Sequence, residues 1–139
     1  MKLELIKKWV RSGTNSNVTQ NSTKNDIFKT LSAYGNLGIA KMSLGRHEEA
    51  IGCFEQQIAF LEQLSDPLQN KDIEKGRAFG NLGKCYESLN DYEEAAKCHE
   101  QYLSHCLKTR SVKDQDKAYQ ELGQAYKNHG NLQQALVSL

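Results

Sequence analysis

One phrase is written three times in this chain. Tyr34-Gly35-Asn36-Leu37-Gly38 recurs as Phe79-Gly80-Asn81-Leu82-Gly83, and again as Tyr119-Gln120-Glu121-Leu122-Gly123. Thirteen residues beyond each Leu stands an Ala, at Ala50, Ala95 and Ala135, inside a second stretch of helical periodicity. The phrases lie 45 and then 40 residues apart, with two helical patterns in each period. That spacing implies an all-α array of helical hairpins, in which each hairpin buries its apolar face against its neighbours.

Turn residues bound the hairpins. The polar run 12–26 carries too little apolar surface to order itself, which predicts a flexible insertion. Asp26 then stands as N-cap of a helix over 27–44, offering its side-chain oxygen to the unpaired N–H groups of the first turn. Gly45 stops this helix, since Gly readily takes the left-handed conformation of a tight C-terminal stop. A second helix over 47–64 sets Ala50, Ile51, Phe54, Ile58 and Leu61 on one face. Beyond the loop that holds the only proline, Pro67, a helix over 72–89 buries Phe79, Leu82, Tyr86 and Leu89. Asn90 tolerates a left-handed turn, and Asp91 with Glu94 approaches a capping box for a helix over 92–109. The third hairpin starts near Ser111, is predicted to turn at Gly130, and restarts with Asn131 as cap and Gln134 as its partner. The array thus spans 27–139 as about two and a half repeats, 27–66, 72–111 and 112–139. Residues 1–11, with Leu3, Ile6, Trp9 and Val10, read as the tail of a preceding helix. Both ends are expected to be open, with apolar faces that favour self-association.

Composition narrows the function. A formal net charge of +1 lacks the basic excess of a nucleic-acid binder, so no nucleic-acid partner is expected. No apolar run approaches the roughly 20 residues of a membrane span, and no membrane partner is expected. The segment Lys2–Arg11 is too short for a membrane-surface helix, and its apolar residues suit a repeat helix better. The opening ten residues are too short and too charged for a signal peptide, which predicts a cytoplasmic setting. On that footing the two glycosylation sequons at Asn17 and Asn21 are chance matches. Cys53, Cys85, Cys98 and Cys106 show no CxxC spacing and fall within helical patterns, as small apolar residues do. The cluster Cys98-His99 and His105-Cys106 on helix 92–109 is the one candidate for a metal or thiol site. Its two Cys–His pairs point to different faces, His99 takes a core position, and no acidic orienter is expected nearby. No cofactor is expected, and the chain reads as non-enzymatic.

With the repeat laid out, the pattern resembles the tetratricopeptide repeat. Tyr34, Phe79 and Tyr119 match the large residue at its fourth position; Gly38, Gly83 and Gly123 match the eighth-position Gly; Ala50, Ala95 and Ala135 match the twentieth-position Ala. Phe54, His99 and Leu139 take the twenty-fourth position, usually aromatic. Three features depart from it. Lys41 replaces the eleventh-position Tyr, Gln57 and Tyr102 replace a small twenty-seventh residue, and the usual closing Pro is missing. The 40-residue period, longer than the common 34, is similar to a subgroup of long arrays that includes the Pins-type G-protein signalling modulators. The resemblance covers residues 27–139 and implies a right-handed α-solenoid of antiparallel helix pairs, open at both ends.

It also implies where partners bind. In such arrays the first helix of each pair lines the concave face, and four positions spaced by about a turn form its stripe. Here the stripe reads Ser32, Asn36, Ile39 and Ser43; then Arg77, Asn81, Lys84 and Ser88; then Lys117, Glu121, Gln124 and Asn128. Asn amides both donate to and accept from a peptide main chain, and Arg and Lys hold carboxylates. The candidate peptide-binding residues are Asn36, Ile39, Arg77, Asn81, Lys84, Lys117 and Gln124. The expected partner is a protein or peptide segment, extended or helical, with acidic character. A second expectation is a structural spacer within a longer repeat protein that carries a separate caspase-like or signalling domain.

Overall fold

A computed structural model of the chain describes residues 20–64 and 71–137. Among these there are five helices and no strand: α1 (Gln20–Ser43), α2 (His47–Gln63), α3 (Lys71–Ser88), α4 (Tyr92–Thr109) and α5 (Val112–Val137). The chain divides between Leu68 and Gln69 into two compact units, α1–α2 and α3–α4–α5.

Three turns share one construction. A single residue takes the left-handed conformation, Gly45 at φ 77°, Asn90 at 62° and Arg110 at 58°. The next N–H then reaches back five residues: Arg46 to the Lys41 carbonyl at 2.9 Å, Asp91 to Tyr86 at 2.9 Å, and Ser111 to Cys106 at 3.2 Å. This satisfies carbonyls that the helix end would strand. Gly45 and Asn90 were legible as stops; Arg110, with an ordinary side chain, was not. The N-cap at Asp91 forms as expected, its carboxylate accepting from the Glu94 N–H at 3.3 Å. Glu48 and Glu49 in the first turn of α2 favour the positive end of the helix dipole.

In the first unit α1 and α2 run in opposite directions. Leu31 packs with Phe60 and Leu61, while Gly38 faces Phe54 near the turn. Ala50, Phe54, Ile58 and Leu61 of the expected stripe are buried. In the second unit α4 is sandwiched. Ala95 and Ala96 cluster with Ala125 of α5, and Tyr102 and Cys106 with Ala118. Leu82 is buried, but Leu89, expected in the core, is exposed.

The glycines show why the phrase repeats. A Cβ on Gly38 would sit 2.7 Å from the Phe54 ring, and one on Gly83 would sit 2.6 Å from His99 Cε1. The two departures at the twenty-seventh position are accommodated by the other glycine of each phrase. A Cβ on Gly35 would meet Gln57 Nε2 at 3.0 Å, and one on Gly80 the Tyr102 ring at 2.9 Å. The larger residue fits because its opposite number has no side chain.

Two boundaries are corrected. Asp26 does not cap α1, which begins at Gln20 and runs through it, so residues 20–26 of the expected flexible insertion are helix. Once nucleated, a helix gains one hydrogen bond for each residue added, so a polar segment joined to a packed helix extends it cheaply. Residues 12–19 of that insertion, the expected helix tail at 1–11 and the expected loop at 65–70 lie outside the described residues. The second correction is at Gly130: α5 passes straight through it to Val137. Gly130 does not take the positive φ seen at Gly45. Asn131 therefore caps nothing, and residues 131–137 satisfy their backbone by continuing the helix without closing a loop.

Candidate functional site

The second unit holds a groove of about 160 Å³ lined by Arg77, Gly80, Asn81, Lys84, Tyr102, Asp114, Lys117 and Glu121. Helical spacing explains its make-up. Arg77, Asn81 and Lys84 stand one turn apart on α3, and Asp114, Lys117 and Glu121 do so on α5. Gly80 supplies the depth, since its missing side chain lets the Tyr102 ring lie against α3 as the floor.

Four of the seven candidate residues thus come together: Arg77, Asn81, Lys84 and Lys117. Gln124 does not line the groove and donates instead to Asn128 Oδ1 at 3.0 Å. Asn36 and Ile39 belong to the first unit and are exposed on α1. The sequence reading missed Tyr102 and Asp114 as groove residues, and it put Glu121 on the stripe without selecting it. Their signals existed. Asp114 and Glu121 are seven apart on one face around Lys117, and Tyr102 is oversized for its position.

The electrostatics differ from a simple basic face. Arg77 Nη2 lies 3.8 Å from Asp114 Oδ2 and Arg77 Nη1 lies 3.9 Å from Glu74 Oε1. Lys84 Nζ lies 3.4 Å from Glu121 Oε1. Asp114 accepts from the Ser111 hydroxyl at 2.6 Å and from the Tyr102 hydroxyl at 3.0 Å. The Ser111 hydrogen bond, helped by those of Tyr102 and the charges of Arg77 and Lys117, outweighs burial and holds the Asp114 carboxyl below its ordinary range. Burial and the bond to Asp114 push the Tyr102 phenol well above its usual value. The groove therefore alternates charges, three cations against two carboxylates. The cations of these pairs are exposed while the carboxylates are largely buried, so an incoming charged group can compete for Arg77 and Lys84 from the solvent side.

Behind the groove the His99 ring is fully buried. Its Nε2 is 3.2 Å from Glu87 Oε1 in hydrogen-bond geometry, and its Nδ1 is 3.3 Å from Glu121 Oε2. His105 stacks on Phe79 with ring centroids 5.9 Å apart, and its Nδ1 is 3.4 Å from Asp72 Oδ1. Carboxylates thus stand beside both histidines, contrary to the sequence expectation, because they arrive from α3 and α5. Burial, reinforced by Lys75, pulls the His105 pKa down against the opposing pull of Asp72. All four cysteines are buried. Burial pushes the thiols of Cys85 and Cys106 up to about 11, which keeps both protonated and poorly nucleophilic at neutral pH. Among the described residues, no group of three His, Cys, Asp or Glu is placed to hold a metal ion. Within the same residues, no helix is long and apolar enough to cross a membrane.

Paired helices with glycine notches, joined by left-handed turns, define a helical-repeat protein. The tetratricopeptide repeat profile matches residues 29–108, more than half of the chain, and the chain belongs to that family. Its repeats are generally non-catalytic and mediate protein–protein interaction. A comparison with curated proteins finds no match.

Proposed function

We propose that the chain is a non-catalytic scaffold that binds a partner's extended or helical segment in the α3–α5 groove. The observation that carries this reading is the convergence of Arg77, Asn81, Lys84 and Lys117 on one cavity. An acidic side chain of the partner replaces Asp114 on Arg77 or Glu121 on Lys84, and the Asn81 amide bonds the partner's main chain. One cation in excess makes the preference for acidic segments mild. On the first unit, considered by itself, Asn36 and Ile39 are exposed contacts of the same kind on α1, and Gln124 is one outside the groove on α5. The 40-residue spacing of the last two phrases supports membership of the long-array subgroup. Buried thiols suit the cytoplasmic setting expected from the sequence.

A short groove of this kind gives an affinity of about micromolar, or roughly −8 kcal/mol. Selection from a random peptide library, followed by calorimetry on the enriched peptides, tests the reading. Acidic peptides should emerge, bind less tightly as salt screens the charges, and lose affinity to the Arg77→Glu/Asn81→Ala double variant. Peptides that bind both forms equally would place recognition elsewhere.

A further inference from the structure

The outward stripe of α5 reads the same from either end. Val112, Tyr119, Gly123, Tyr126, Gly130 and Val137 follow one another at spacings of seven, four, three, four and seven residues, which keeps all six on one side of the helix. The four side chains are exposed: Val112 at 70%, Tyr119 at 54%, Tyr126 at 50% and Val137 at 87%. A Cβ built on Gly123 or Gly130 meets nothing within 4 Å. These are therefore open notches between aromatic knobs. The equivalent glycines of the first two phrases, Gly38 and Gly83, are each filled by a ring from the next helix.

We propose that this stripe is a dimerisation surface, on which α5 of a second copy docks antiparallel about a two-fold axis between Gln124 and Ala125. This goes beyond the groove reading and uses a different face of α5. Positions equidistant from that axis are complementary in shape. Tyr126 of one copy enters the Gly123 notch of the other, Tyr119 enters the Gly130 notch, and Val112 meets Val137. The same patch serves both copies, as a two-fold interface requires, and small residues admit close approach of two helices. The knob at Tyr126 is already oriented, because its hydroxyl donates to Glu100 Oε1 of α4. Charge supports the antiparallel sense. The N-terminal turn of each α5, which starts at Val112, comes beside residues 131–137 of the other copy, a segment with no charged side chain to oppose it. Each positive helix end lies beside the partner's negative end.

The area sets the strength. A 26-residue helix is about 39 Å long, and covering a third of its surface buries on the order of 500 Å² per copy. The total of about 1,000 Å² falls among weak, transient interfaces. The dimer should thus form in a concentration-dependent manner.

Sedimentation of the full chain over a range of concentrations, with disulfide trapping, tests this. Chains carrying Val112→Cys mixed with chains carrying Val137→Cys should cross-link to each other, and neither variant should link to itself. Gly123→Glu should weaken the dimer by about tenfold or more through burying a charge, with helix content by circular dichroism unchanged. A monomer at every concentration would overturn the proposal. So would self-linking of Val112→Cys, which reports a parallel pair. A third overturning result is an intrachain link between Gly123→Cys and Val137→Cys, in which residues 131–137 of the same chain fold back over the notch.

Discussion

Gly83 and Gly123 hold the same place in successive phrases, yet an added methyl group should act on them in opposite directions. Against Gly83 it would press into the buried His99 ring, so Gly83→Ala should destabilise by about 1–3 kcal/mol through overpacking. At Gly123 the single chain leaves open space, and Ala is the better helix former, so Gly123→Ala should stabilise the monomer by about 1 kcal/mol while narrowing the notch that takes the partner's Tyr126 knob. Chemical-denaturation midpoints of the two variants check the pair of signs. The resemblance in sequence matched all three glycines to one position of the repeat. It could not show that the third notch is empty, because that depends on the path of residues 131–137. The groove was half legible for a similar reason. Arg77, Asn81 and Lys84 share one helix, so spacing alone finds them. Tyr102 and Asp114 join through packing between helices, which local periodicity does not encode.

At the scale of the element, the three left-handed stops differ in chemistry while sharing geometry. Arg110 at φ 58° carries the penalty of a side chain in a region where Gly has none. Arg110→Gly should therefore stabilise the α4–α5 junction by roughly 1 kcal/mol, raising the melting temperature. Gly45→Ala should lower it by a similar amount at φ 77°. Helix α5 offers a sharper test. Because it runs through Gly130, Gly130→Ala replaces a poor helix former and should raise the helix content and stability of the monomer by about 1 kcal/mol. A turn at that point would lose its permissive residue, and the same substitution would lower both. Gly45 stops its helix at positive φ and Gly130 does not, although both are followed by polar residues. A glycine permits the left-handed conformation without imposing it.

For the molecule as a whole, acid should loosen the α3–α4–α5 unit in two steps. Asp114 has a depressed folded-state pKa, so its contribution is present above the unfolded value of about 3.9 and is lost as pH falls through the folded value. His105 is also depressed, mainly by burial. Its unfolded form takes up a proton near pH 6.5 while the native form resists, so stability begins to fall from there downward. Urea midpoints between pH 7 and pH 3 should fall along both limbs. His105→Gln should flatten the upper limb, and Asp114→Asn the lower. The match of Tyr102 to Gly80 reaches further, into how such a chain can change over generations. Enlarging Gly80 alone drives a methyl group into a ring 2.9 Å away. Trimming Tyr102 alone leaves a void, which costs stability but breaks no contact by force. Descent therefore has a preferred order, the void first and the filling second. A repeat duplicated or exchanged whole carries both halves of the match and escapes the detour.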